Sequence, residues 1–330
     1  MNDVFKTGIS RRAALASLAA AGVGFTKPSW AQADFPNRQI TIYSGLAAGG
    51  GADLITRHYA SKLQDMCGQT VVVVNRPGAG GNLGAAAAAK SKPDGYTLLI
   101  APNVAFLGNL YLYKDVPYHP INSFTPVTTL ASLPFIFAVP PNSPVNSVKE
   151  LIAYIKSKDG KATYAGNTTT AIMGVEYICD LTGTKMTRVP YKALIDTIPD
   201  VANGTLDLIF GDATFLLSQA KAGRVKLIAV STAERSPSMP NIPTMQEAGF
   251  KDFEITAWFA AYAPAGSPPD AIAKLEGWLN KAVSSPETKA FLAPSATDPM
   301  PGTSEKLGKL MQVELDKWLK LMKIAKLEPQ

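Results

Sequence analysis

Three consecutive glycines, Gly49, Gly50 and Gly51, separate the apolar run Ile40-Thr41-Ile42-Tyr43 from a helix-periodic series, Leu54, Ile55, Tyr59, Leu63 and Met66. Asp53 stands two positions beyond the last glycine. A strand, a turn without side chains and the start of a helix leave several N–H groups unpaired at the positive end of the helix dipole. Such a junction suits an anion, and a ligand can lie directly against the glycine backbone. The loop lacks the Gly-Lys-Ser/Thr ending of a triphosphate cradle. Asp53 reads either as a first-turn dipole partner or as a residue that holds the loop or meets a ligand donor.

Gly78-Ala79-Gly80-Gly81-Asn82-Leu83-Gly84 also follows a strand and opens a helix. Its spacing is GxGxxxG, and the next strand ends Ile100-Ala101-Pro102-Asn103 with no acid for a ribose. A tight turn at a cleft edge is therefore expected, and no dinucleotide or other cofactor. His58 lies on the apolar stripe of the first helix and reads as a partly buried core residue, and His119 sits in the turn Pro117-Tyr118-His119-Pro120. There is no G-x-S-x-G elbow and no H-E-x-x-H, and neither histidine adjoins a nucleophile or a metal-ligand cluster. In the second half, Ala165-Gly166-Asn167-Thr168-Thr169-Thr170 joins a strand to a helix with small hydroxyl and amide side chains. These can donate to a carboxylate beside a helix N-terminus or serve as a plain N-cap series. Tyr191-Lys192 and Gly211-Asp212-Ala213-Thr214 follow further strands.

These motifs must be carried by alternating strands and helices. Val71–Asn75 is a β-branched run of the kind buried on both faces of a sheet, followed by an alanine-rich helix to Lys90 and a strand from Tyr96 to Ala101. Phe124–Pro140, with four prolines at 126, 134, 140 and 141 in and beside it, reads as an extended passage to a second unit. That unit opens with the capping box Ser147-Val148-Lys149-Glu150 and has strands at 162–165, 187–189, 206–210 and 225–231. Glu254–Ala263 is the expected return, and two helices follow, the last with Leu307, Leu310, Met311, Trp318, Leu319 and Met322 on one face. Two α/β units joined by two crossings enclose a cleft at the carboxyl ends of their strands. Cys67 and Cys179 fall in different units and read as unpaired core residues.

Of the 330 residues, the first 33 have the marks of an export leader. Ser10-Arg11-Arg12 precedes an apolar run to Phe25, and Ala31-Gln32-Ala33 offers a cleavage site. Leu15, three positions past the arginines, suits the twin-arginine route, and the general secretory route stays open. The leader's four cations and one acid account for half of the formal charge of +6. The remaining Lys and Arg are scattered, which argues against a nucleic-acid surface.

Taken together, Ala48-Gly49-Gly50 with Asp53, Val74-Asn75-Arg76-Pro77-Gly78-Ala79-Gly80-Gly81-Asn82 and Pro93-Asp94-Gly95-Tyr96-Thr97-Leu98-Leu99 resemble the Bug (Bordetella uptake gene) proteins. These are the periplasmic solute receptors of tripartite tricarboxylate transporters. Val189-Pro190-Tyr191-Lys192, Ala222-Gly223-Arg224-Val225, Ile242-Pro243-Thr244 with Glu247-Ala248-Gly249, and Trp258-Phe259 with Ala263-Pro264-Ala265-Gly266 extend the match over most of the chain. The resemblance implies a two-lobed, type II-like periplasmic binding protein, each lobe a mainly parallel sheet flanked by helices. Lobe 1 would be residues 34–134 with 256–330 and lobe 2 residues 135–255. It implies a periplasmic monomer that closes on a small carboxylate without transforming it and meets the transporter's membrane subunits. First-lobe contacts map to Leu46, Ala47, Ala48, Gly49 and Asp53, with Asn103, Ala105 and Phe106 beside them. Second-lobe contacts map to Asn167, Thr168, Thr169, Thr170, Ile172, Tyr191 and Asp212. The family often has Ser or Thr at the place of Ala105 and His at that of Ile172. These departures, with Phe106 beside the first, favour a less polar acid such as terephthalate over citrate. The alternative is an exported hydrolase that uses Asp53 or Asp212 on a carboxylated ester or amide.

Overall fold

The computed structural model describes residues 35–166, 168–191 and 193–329, so the leader, Asn167 and Lys192 lie outside the described residues. Six strands form the first sheet: β1 (Ile40–Ser44), β2 (Val71–Asn75), β3 (Thr97–Pro102), β4 (Phe124–Leu133), β10 (Ala257–Pro264) and β11 (Asp298–Pro299). Five form the second: β5 (Phe135–Val139), β6 (Thr163–Ala165), β7 (Thr187–Arg188), β8 (Leu208–Asp212) and β9 (Lys226–Val230). Their spatial orders are β11-β4-β10-β3-β1-β2 and β7-β6-β8-β5-β9. The longer helices are α1 (Gly51–Cys67), α2 (Asn82–Ala89), α3 (Val148–Ser157), α4 (Thr169–Thr182), α5 (Ala213–Lys221), α6 (Pro269–Val283) and α7 (Ser304–Ile324).

Both sheets are mainly parallel in strand direction, with a minority of reversed strands. β2, β1 and β3 run parallel, but β10, β4 and β11 pair antiparallel. In the second sheet β7, β6 and β8 run parallel while β5 lies antiparallel to β8 and β9. The cause is the passage read from Phe124–Pro140: β4 leaves the first sheet at Leu133, Pro134 supplies no ladder donor, and β5 enters the second sheet at Phe135. Phe135 pairs with Asp212 at the carboxyl end of β8, and Leu133 pairs with Ala257, where the return strand enters the first sheet. The carboxyl ends of β1, β2, β3, β6 and β8 therefore all lie on the edges where the chain crosses between sheets.

Each sheet has its own apolar core. Phe106, Tyr118, Phe124, Tyr262, Leu307, Met311 and Leu315 belong to the first; Phe137, Tyr164, Tyr177, Phe210 and Phe253 belong to the second. Helix α7 joins both, because Trp318, Leu321 and Met322 pack into the second core. This corrects the expected stripe: Leu315 and Leu321 are on it, and Leu319 faces solvent, since 3.6 residues per turn carries position 319 off the face shared by 311, 315, 318 and 322. The Trp318 ring packs closely on Gly108, where a Cβ would stand 3.0 Å from it and press on the ring. Cys67 and Cys179 are unpaired as expected, but Cys67 is half-exposed at the end of α1 rather than in a core. Trp318→Ala is expected to lower unfolding stability by about 3–5 kcal/mol, read as a lower urea midpoint.

Candidate ligand-binding site

The loop after β1 begins at Gly45, where the backbone of a second loop touches it. A Cβ on Gly45 would lie 2.4 Å from the Gly81 carbonyl oxygen, and one on Gly84 would lie 2.5 Å from the Gly45 Cα. Gly81 in turn faces the Ala105 methyl. The glycine pattern at 78–84 is thus a tight turn, with positive φ at Gly78, Gly80 and Gly81, that lets three strand-end loops meet. Beneath this seam Asn109 Nδ2 donates to the Gly80 carbonyl at 3.0 Å and to Asn82 Oδ1 at 2.8 Å.

Asp53, only 2% exposed, holds the first loop in shape. Its Oδ2 accepts from the Gly49 N–H at 2.8 Å and from Arg57 Nε at 2.9 Å, and its Oδ1 accepts from Asn75 Nδ2 at 2.8 Å. Asn75 Nδ2 also reaches the Leu46 carbonyl, and Arg57 Nη2 donates to Asn75 Oδ1. Burial alone would raise the Asp53 pKa, but the bonds from Arg57, Gly49 and Asn75 outweigh it and hold it at about 2. The Gly49 N–H is therefore committed to Asp53 and not offered to an anion. Leu46, Ala47, Ala48 and Gly49 are at least partly exposed. The N–H groups of Ala47 and Ala48 have no partner among the described residues. Those of Gly51 and Ala52 open α1, whose cap, Gly50, offers no side chain. These residues follow the carboxyl end of β1, which lies on the shared edge.

Two first-lobe candidates do not reach it. Phe106 is fully buried between Tyr118 and Tyr262 in the first core, with ring centroids 5.6 and 4.2 Å away. Asn103 is 1% exposed, and its amide is used up by Thr256, Trp258 and Glu314. Both start the segment after β3, where Val104–Gly108 wind as a single π-helical turn. That turn rotates Phe106 inward and leaves Ala105 partly exposed beside Gly81.

In the second lobe Thr168 is exposed and caps α4 by accepting from the Ala171 N–H at 3.1 Å. Thr169 and Ile172 are half-buried, but Thr170 is buried and lines a small cavity with Asn103, Met173, Thr256, Glu314 and Trp318. Tyr191 donates its hydroxyl to Asp200 at 2.6 Å; burial, and then that carboxylate, push the phenol up to about 12. Asp212 caps α5 by accepting from the Phe215 N–H. Both acids named for a hydrolase thus serve as structural acceptors. His58 binds Thr288 at 2.7 Å and stacks on Phe291. Among the described residues no cluster of three or more His, Cys, Asp or Glu could hold a metal.

A family profile described as the tripartite tricarboxylate transporter family receptor matches residues 55–327. The chain belongs to this receptor family. Protein BugT of Bordetella pertussis is 32% identical over 288 residues, 86% of this chain and 88% of the relative. The solved structure of R. palustris Rpa4515 with adipate is 30% identical with a TM-score of 0.71, covering 90% of this chain and all of that one. MatC of Rhodopseudomonas palustris, solved with bound malate, is 25% identical with a TM-score of 0.66 and covers 87% of this chain and 99% of its own. The two-lobed α/β fold of such receptors is the fold described above.

Sequence reading missed Arg57 and Asn75 as the partners that complete the Asp53 network. The i,i+4 spacing of Asp53 and Arg57 was a usable signal. Asn75, at the end of a valine run, was another. Because the folded pKa of Asp53 lies below the ordinary 3.8, its stabilisation is present above about pH 4 and is lost as pH falls from there toward 2. Asp53→Asn should therefore cost about 1–3 kcal/mol at pH 7, and thermal melts should show the gap to wild type closing between pH 4 and 2.

Proposed function

We propose that this receptor captures a small carboxylate in the periplasm by closing two lobes and hands it unaltered to the membrane subunits of a tripartite transporter. The observation that carries the reading is the run of unpartnered N–H groups at Ala47 and Ala48 beside the start of α1. Asp53 lies next to it as an anion, but Arg57 cancels that charge, so an incoming carboxylate meets dipoles and not repulsion. The lobes are residues 34–134 with 256–330 and residues 135–255. Leu46 to Gly49 and Ala105 form one jaw; Thr168, Thr169, Ile172, Tyr191 and Asp212 form the other. A ligand that touches both jaws favours the closed state. The leader, residues 1–33, sends the chain across the inner membrane, and among the described residues no helix is long and apolar enough to cross one.

The ligand body is weakly polar. With Phe106 in the core, Ala105 and Ile172 place apolar side chains on both jaws. They suit a dicarboxylate whose carboxyls are joined by an apolar spacer, as in adipate, the acid in the Rpa4515 structure, or terephthalate. Citrate, with a hydroxyl and a third carboxyl, would bring polar groups that these side chains cannot pair. Calorimetric titration with adipate, terephthalate, malate and citrate should give the tightest binding to one of the first two. Tightest binding to citrate would overturn this choice, and conversion of a bound ester or amide would overturn the receptor reading.

Gly49 has φ of +81°. Gly49→Pro would force φ near −65° and remove the N–H that Asp53 holds. Affinity for the best ligand of the panel should fall by about tenfold or more. Unchanged binding would place the anion elsewhere.

A further inference from the structure

Glu314 is 2% exposed and lies on α7 beside Leu315 of the first core and one turn before Trp318 of the second. Its Oε2 accepts from Asn103 Nδ2 at 3.0 Å, and its other oxygen pairs with Lys317. Those two side chains hold the return crossing at three backbone atoms. Asn103 Nδ2 donates to the Thr256 carbonyl at 3.1 Å, Asn103 Oδ1 accepts from the Trp258 N–H at 3.2 Å, and Lys317 Nζ donates to the Glu254 carbonyl at 3.2 Å. Asn103 is also the residue from which the π-helical turn bearing Ala105 departs. Across the small cavity at this point stand Thr170 and Met173 of α4, the helix whose first turn belongs to the second jaw.

Stability alone gives little reason for a charge here. A buried ion pair can often be replaced by apolar side chains without loss. What an apolar residue could not supply is one acceptor that fixes both Asn103 and Lys317, and so fixes the crossing relative to the first jaw.

We propose that Glu314 is a positioning residue for the carboxylate site: through Asn103 and Lys317 it clamps the return crossing to the first lobe, so that the second lobe swings about a fixed pivot. This rests on the receptor reading given above. A crossing released from the clamp samples more lobe orientations, only some of them able to close on a ligand. Apparent affinity then falls by the competent fraction, although no ligand contact is touched.

The test uses spin labels at two exposed positions, Leu83→Cys in the first lobe and Ile195→Cys in the second, with Cys67 and Cys179 replaced by serine. Double electron–electron resonance then reads the width of the interlobe distance distribution without ligand. Glu314→Ala should broaden it about twofold and weaken adipate binding about tenfold in calorimetry. Glu314→Gln, whose amide oxygen still accepts from Asn103, should keep a width close to the parent protein. If Glu314→Ala does not fold, Lys317→Met carries the test, because it frees the Glu254 carbonyl at a partly exposed position. An unchanged width in Glu314→Ala, or in Lys317→Met where that variant carries the test, overturns the proposal. Failure of the parent protein to bind any acid of the panel would instead count against the receptor reading, since the ligand-free width is measured independently.

Discussion

The site is built around a buried carboxylate whose acceptor capacity is spent on its own loop. Asp53 ties the Gly49 amide, the Asn75 side chain and Arg57 into one unit. A loop of alanine and glycine has almost no side-chain contacts to hold it, and glycine gives up more conformational freedom on ordering than any other residue. Charge-assisted hydrogen bonds from one fixed acceptor offset that cost where packing cannot. They also commit the Gly49 amide, while those of Ala47 and Ala48 have no partner among the described residues.

Backbone contact is the second constraint. Gly45, Gly81 and Gly84 allow two strand-end loops to approach closer than any side chain permits. Ala105, brought in by the π-helical turn, closes the same seam. The strands β2, β1 and β3 are parallel, so their loops emerge on one edge; β5, antiparallel to β8, brings the second sheet's loops to that same edge. The gathering of these loops on one edge is thus a product of strand direction.

Helix α7 gives the molecule an element that belongs to both lobes. Its Leu307, Met311 and Leu315 are held by one core, and its Trp318, Leu321 and Met322 by the other. The two lobes are therefore joined by more than two strand crossings, and the polar residues at the middle of that helix occupy the point where the two packings meet.

Much of this was legible in the amino-acid sequence. The glycine loop with Asp53, the βαβ alternation, the proline-marked crossing and the family motifs follow from local chemistry, since glycine, proline and apolar period act within a few residues of themselves. The direction in which a side chain finally points did not follow. Phe106 sits beside a jaw residue in sequence, yet the π-helical turn buries it. Asn103 and Thr170 have ligand-like chemistry but line the small cavity beside the return crossing, because partners more than eighty residues away in the chain, Thr256 and Glu314, stand there. Asp53 gives the same lesson in the other direction. Its place in the first turn of α1 was set locally, and only the fold, by bringing Asn75 to its other oxygen, decided that it shapes the loop.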